Sequence, residues 1–241
     1  MTVHLVGAGP GAPDLLTVRA VRLLESADVV LHDRLVSAST LALIRPSAVT
    51  IDVGKEAGGR AMAQDEINRL LVEHGRRGAL VVRLKGGDPY VFGRGGEEAQ
   101  ALLDAGIEVE VVPGISSAIA APMAAGVPVT MRNQALAFTV VTGHEDPNGS
   151  SSVDWEAHVA TRATLVILMG AGRIGVIAQR LLAAGMRPGT PVAAVQWAHT
   201  ERQRVTRTTL ADVGAAGLAP PCTIVIGEVA ALDLRTLPRP S

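Results

Sequence analysis

The strongest constraint on this chain is an alternation. Short β-branched runs recur at 2–6 (TVHLV), 28–32 (DVVLH), 49–53 (VTIDV), 79–84 (ALVVRL) and 107–112 (IEVEVV), with helix-length segments between them. Strands joined through helices are built to pair in parallel, so the pattern predicts an α/β lobe with a parallel sheet. Ile67, Leu70, Leu71 and His74 fall at i, i+3, i+4 and i+7, and Ala99, Leu102, Leu103 and Gly106 repeat that spacing. Both stripes are expected to pack on the sheet.

From about residue 133 the pattern changes. Strand-like runs stand at 137–143, 163–170, 191–196, 203–210 and 222–229, with a helix expected from Ile174 to Ala184. Little helix is expected between 191 and 229, so the second sheet should be mixed and partly antiparallel. The junction GVPVTMRN (126–133) is the expected boundary between two α/β lobes, 1–132 and 133–241. A cleft between lobes is a common ligand site and is where the active site is expected. The uncharged stretch 111–131 is long enough to cross a bilayer, but its prolines and glycines predict a strand end, a turn and a tightly packed helix instead.

Composition narrows the function. With 241 residues, 48% of them hydrophobic, the chain can bury a substantial core. A net charge of −1 provides no basic field for nucleic acid, so any anion site must be local. The one cysteine, Cys222, excludes an intramolecular disulfide or a thiolate metal cluster and reads as core in PPCTIVIG. The six histidines show no ligand spacing, so no metal is expected. The segment MTVHLVGAGPG has no basic region followed by an apolar stretch, and a cytoplasmic protein with no membrane partner is expected.

The strand ends carry the chemistry. After the first run comes GAGPGAPDLLTVRA (7–20), in which the third spaced glycine of a dinucleotide loop is missing and Pro10 and Pro13 remove backbone donors. A nucleotide loop and a tight turn into a helix opened by Pro13 and Asp14 both stay open at this point. Asp33 ends the second run, Lys55 the third, and Lys85 to Asp88 the fourth, which gathers polar groups at the carboxyl edge of the sheet. Open α/β sheets bind ligands at that edge. The fourth strand continues into RLKGGDPYVFGRGGEE (83–98), whose five glycines imply close backbone approach or unusual dihedrals.

With these residues, the chain resembles the uroporphyrinogen-III C-methyltransferases, a group of tetrapyrrole methyltransferases that use S-adenosylmethionine. The carriers are VGAGPGAPDLLTVRA, DRLV (33–36), VGKEAG (53–58), RLKGGDPYVFGRGGEE, VVPGISSAIAA (111–121), GVPVT (126–130), TLVILMG (164–170) and CTIVIGEV (222–229). They span essentially the whole chain, and the GGDPYVFGRGGEE element is the most specific. The resemblance implies the tetrapyrrole methylase fold, with Pro10, Gly86, Gly87, Asp88, Val91, Ser116, Ser117, Met169 and Ala198 lining the S-adenosylmethionine pocket. It implies that Arg94, Glu97 and Arg132 face the tetrapyrrole, Arg94 among the catalytic groups, with Asp33 as base and Lys55 as its acid partner. A substrate bearing eight carboxylates suits guanidinium groups, which can grip each one bidentately.

The reaction implied is two successive methylations, at carbons 2 and 7, giving precorrin-2 for sirohaem or corrinoid synthesis. A homodimer of the transferase alone, without a fused oxidase–chelatase domain, is also implied. Related enzymes acting on later precorrins are the runner-up, and diphthine synthase is a more distant one. Departures from the family pattern are His32 in place of an aromatic, Ala12-Pro13-Asp14 in place of Gly-Asp, Tyr90 in place of phenylalanine and Ala198 in place of glycine. These bear on the adenine side more than on the reaction.

Overall fold

A computed structural model describes residues 2–54, 62–144 and 153–235; Lys55 lies outside the described residues. The first unit runs β1 (Thr2–Gly7), α1 (Val18–Ser26), β2 (Val29–His32), α2 (Ala38–Leu41), β3 (Val49–Asp52), α3 (Gln64–Arg76), β4 (Val81–Lys85), α4 (Gly95–Asp104) and β5 (Glu108–Val112). The second runs α5 (Ser117–Ala124), β6 (Phe138–Thr142), α6 (Trp155–Thr161), β7 (Thr164–Leu168), α7 (Ile174–Ala183), β8 (Pro191–Gln196), β9 (Arg204–Thr209) and β10 (Cys222–Ile226).

The first sheet has the order β3-β2-β4-β1-β5 and is parallel throughout. Both faces are covered, which is why its central strands read as continuous apolar runs. Val3, Leu5, Leu31 and Val81 face one core with Ile67 and Leu71 of α3 and Leu102 of α4. Their neighbours Val6, Val30, Val82 and Leu84 face the other, with Ala20 and Leu24 of α1. Thr17 caps α1, its hydroxyl accepting from Ala20 N at 3.1 Å. Pro13 and Asp14 form only a single 3-10 turn, Pro13–Leu15, so the helix opens later than the proline suggests.

The stripe on α4 is displaced from the expected one. Gly95, Glu98, Ala99 and Leu102 are the buried positions, while Leu103 is 57% exposed and Gly106 turns the chain out of the helix with φ +73°. Ala99 and Leu102 of the expected stripe are buried, but the helix is turned so that Glu98 and not Leu103 lies inward. On α3 the buried side is Ile67, Leu71 and Gly75.

The second sheet has the order β6-β7-β10-β8-β9; β6 and β7 are parallel and the remaining pairs antiparallel. Val141, Leu165, Ile167, Ala194, Ile224 and Ile226 pack on Ile174, Ile177 and Leu181 of α7. Cys222 joins this core, and burial pushes its thiol up to about 12. α6 was not anticipated; it is only 7 residues long and starts on the side-chain cap of Asp154.

Contacts divide the chain into Met1–Ser116 and Ser117–Ser241. This division precedes the GVPVTMRN junction because α5 packs on β7, β8 and β10. α5 is rich in alanine and carries Pro122 within it, a thin helix that lies close to the sheet.

Candidate active site

Three strand ends of the first sheet are drawn together by glycines. A Cβ on Gly114 would stand 2.2 Å from Gly87 O, and one on Gly7 would stand 2.5 Å from Gly114 Cα. No side chain fits at either place, so the ends of β1, β4 and β5 meet backbone to backbone. Two hydrogen bonds, Gly87 N to Gly9 O at 2.8 Å and Gly9 N to Gly87 O at 3.1 Å, lock the first turn to the GGDP segment. Ser37, at the start of α2, donates to Gly11 O at 2.7 Å and holds the far end of that turn, past Pro10.

The glycines of the GGDPYVFGRGG loop divide by role. Gly93 and Gly95 serve the loop itself: Cβ atoms there would lie 2.9 and 2.4 Å from Pro89 O. At Gly86 the nearest atom to a Cβ would be Leu35 Cβ at 3.9 Å, and at Gly96 nothing lies within 4 Å. Gly86 and Gly96 thus leave open space against the backbone, as Gly93 and Gly95 do not. Asp88 is oriented by two backbone donors, Tyr90 N to Oδ1 at 2.8 Å and Gly114 N to Oδ2 at 3.1 Å. Half-buried Val91 follows it, and Ser116 closes the unit after β5.

Arg94 adopts φ +59° at the N-cap of α4. A cation is poorly placed at a helix N-terminus. Here the compensating anion is Glu97, whose carboxylate accepts from Arg94 Nε at 3.1 Å and from a terminal nitrogen at 2.5 Å. That bond raises the pKa of Arg94, and Arg94 lowers that of Glu97. The two residues singled out for the tetrapyrrole are each other's partners, and both are exposed.

Beneath this loop lies a buried charge cluster that the sequence reading did not single out as a unit. Arg83 and Lys85 alternate on β4, the central strand, and so point to the same face. Glu98, fully buried on α4, receives both: Arg83 Nε lies 3.0 Å from Oε1, and Lys85 Nζ lies 3.0 Å from Oε1 and 2.9 Å from Oε2. Gln64 on α3 adds a further donor to Oε1 at 3.3 Å. Arg83 also donates to Asp33 Oδ1 at 2.5 Å, while Gly86 N lies 3.3 Å from Asp33 Oδ2. Burial holds the Lys85 ammonium below its usual pKa; Arg83 adds to that, and Glu98 and Asp33 oppose it. Two cations two residues apart on a strand this apolar need a buried counter-charge, and that was the signal available for Glu98.

The other expected residues belong to the second unit. Met169 follows β7 with φ +56°, and Ala198 follows β8 between Trp197 (φ +50°) and His199 (φ +58°). Non-glycine residues in the left-handed region are strained, and such positions gather at functional sites. His199 is held by Nε2 to Ala120 O at 2.9 Å and by its own N–H to Gln203 Oε1 at 2.8 Å, while Arg202 Cζ lies 3.4 Å from the Trp197 ring centroid. Ser117 opens α5, and Arg132 is exposed in the tight turn closed by the Met131–Ala135 bridge. Among the described residues there is no group of side chains that could hold a metal, and no helix is long and apolar enough to cross a membrane.

A parallel sheet with carboxylates fixed at its carboxyl edge, followed by a mixed sheet with left-handed residues at its strand ends, defines a two-unit α/β protein. The chain belongs to the tetrapyrrole (corrin/porphyrin) methylases, whose family model matches residues 2–214. It is 48% identical to the S-adenosyl-L-methionine-dependent uroporphyrinogen III methyltransferase of Methanosarcina barkeri, over 94% of this chain and 91% of that protein. It is 49% identical to the siroheme synthase of Chromobacterium violaceum over 95% of this chain, but spans only 50% of that longer protein. Among solved structures, the uroporphyrin-III C-methyltransferase of Thermus thermophilus complexed with S-adenosyl homocysteine matches with a TM-score of 0.83 and 44% identity, covering 95% of this chain and 98% of that one. A cobalt precorrin-4 methyltransferase matches with a TM-score of 0.86 at 28% identity, covering 96% of each chain.

Proposed function

We propose that the chain is an S-adenosylmethionine-dependent uroporphyrinogen-III C-methyltransferase that methylates carbons 2 and 7, by way of precorrin-1, to give precorrin-2 for sirohaem or corrinoid synthesis. The observation that carries this reading is the edge of the first sheet, where Asp88 is oriented by two backbone N–H groups and Asp33 by Arg83 and Gly86 N, beside the open face of Gly86. The named activity of the Methanosarcina barkeri relative, matched over 91% of its length, supports the substrate.

The residues present fit the cofactor. It carries no phosphate, so a first turn interrupted by Pro10 is no obstacle, and the open side of Gly86 admits a ligand close to the backbone. S-adenosylmethionine supplies an electrophilic methyl group on a sulfonium sulfur. On this reading Asp88 accepts hydrogen bonds from ribose or ammonium groups, while Pro10, Gly86, Gly87, Val91, Ser116, Ser117, Met169 and Ala198 line the remainder. The chain's main work is alignment, since an electron-rich pyrrole carbon is already a nucleophile. Arg94 and Arg132 orient substrate carboxylates, with Glu97 setting the Arg94 guanidinium. Methylation obliges the substrate to lose a proton, which Asp33 accepts, with Lys55 as acid partner. The family likeness also supports a cytoplasmic homodimer.

The high TM-score to a cobalt precorrin-4 methyltransferase favours a later precorrin as the second reading, against which stands its lower identity of 28%. Anaerobic incubation with uroporphyrinogen III and S-adenosylmethionine, followed by mass spectrometry, separates the two. Two added methyl groups support the first reading; an unchanged substrate mass removes it.

A further inference from the structure

The described residues outside the proposed ligand contacts contain one buried ionic cluster that reaches a proposed catalytic group. Glu98 is 0% exposed, Arg83 and Lys85 are each 2% exposed, and the carboxylate they share is linked through Arg83 to Asp33, whose side chain is 32% exposed. Burying three charges is costly unless each is closely paired, and the same fold could be held by apolar residues of similar volume. The arrangement therefore calls for a role beyond stability.

We infer that Arg83 and Glu98 are positioning residues for Asp33, and that they register it against the first turn of α4, where Arg94 and Glu97 stand. The inference rests on the proposed role of Asp33. The guanidinium of Arg83 is engaged on all three nitrogens: Nε on Glu98, one terminal nitrogen on Leu84 O at 3.2 Å and the other on Asp33. A planar fork held at three points has one orientation, so the place of Glu98 on α4 sets the plane of Arg83, and that plane sets Asp33 Oδ1. Gly86 N takes the second oxygen. Movement of the α4 first turn is thereby passed to Asp33 through two ion pairs, with Lys85 balancing the charge of Glu98. A lysine at position 83 would keep the positive charge but has a single donor head, which cannot hold that three-point geometry.

The test is a double-mutant cycle on turnover of uroporphyrinogen III in the full-length protein. Arg83→Lys is expected to lower kcat about 100-fold, the scale of loss from a displaced reacting group, with little change in the KM for the tetrapyrrole. Asp33→Asn is expected to lower kcat as well, and the double variant to be no slower than Asp33→Asn alone, because Arg83 acts only through Asp33. Cooperative thermal unfolding and S-adenosylhomocysteine titration report whether each variant is folded. If Arg83→Lys does not fold, the same cycle is run with Glu98→Gln, which keeps the side-chain shape. Losses that multiply in the double variant would show Arg83 or Glu98 to be structural and overturn the inference while leaving the Asp33 reading intact. Full turnover by Asp33→Asn would overturn both.

Discussion

Gly114 and Gly87 are packed so closely that a Cβ on Gly114 would stand 2.2 Å from Gly87 O. This contact joins the loop after β5 to the loop after β4 and brings Gly114 N within 3.1 Å of Asp88 Oδ2. Gly114→Ala must move backbone and is expected to cost about 1–3 kcal/mol. Gly86→Ala, facing open space, is expected to leave stability within about 0.5 kcal/mol and to weaken S-adenosylhomocysteine binding. Denaturant unfolding paired with calorimetric titration checks both; a Gly86→Ala variant that binds normally would remove Gly86 from the cofactor site.

Glu98 holds two buried cations, so its removal leaves both without their shared anion. Glu98→Ala is expected to lose about 3–5 kcal/mol of stability, the scale of a broken buried ion pair. A urea unfolding curve measures this directly. A loss below about 1 kcal/mol would mean that water reaches the cluster and replaces the carboxylate.

Lys85 gives the cluster a pH signature. Its ammonium is held below the ordinary 10.5 in the folded chain, first by burial. Between that lowered value and 10.5 the unfolded chain binds more protons than the folded one, so this group makes stability rise with pH. Cys222 has the opposite sign: its thiol is raised from 9.0 to about 12, so the unfolded chain releases that proton first and stability falls across the interval. Subtracting the unfolding free energy of Lys85→Met from that of the unsubstituted protein isolates the lysine. The difference is expected to move in favour of the unsubstituted protein as pH rises toward 10.5; a flat difference would show that Lys85 stays charged.

Arg94 and Glu97 are exposed and paired, so Arg94→Ala is expected to alter stability by no more than about 1 kcal/mol. If Arg94 and Arg132 grip substrate carboxylates, each alanine variant raises the KM for uroporphyrinogen III about tenfold or more, the worth of one charge-assisted hydrogen bond. S-adenosylhomocysteine affinity stays near normal in both. Steady-state kinetics with each substrate varied in turn make the comparison, and unchanged KM values in both variants would take the two arginines out of the site.

The local sequence determined the strands and most of the helices. Alternation of β-branched runs with helical segments identified the first sheet as parallel, because strands joined through helices have little other way to pair. The loss of helical periodicity after residue 191 identified the second sheet as mixed, and the family signature in RLKGGDPYVFGRGGEE pointed to the methylases. These features depend on neighbours in the chain, which a sequence displays directly. What only the tertiary structure decided is how residues far apart in sequence use one another. It assigned Gly93 and Gly95 to the loop's own packing and left Gly86 open, turned α4 so that Glu98 rather than Leu103 faces inward, and brought Asp33, Arg83 and Glu98 into one chain of ion pairs. The physical reason is that burial and charge compensation are set by strand order and helix rotation, and a partial rotation of α4 exchanges a leucine for a glutamate on its inward face without changing the periodicity that predicts the helix.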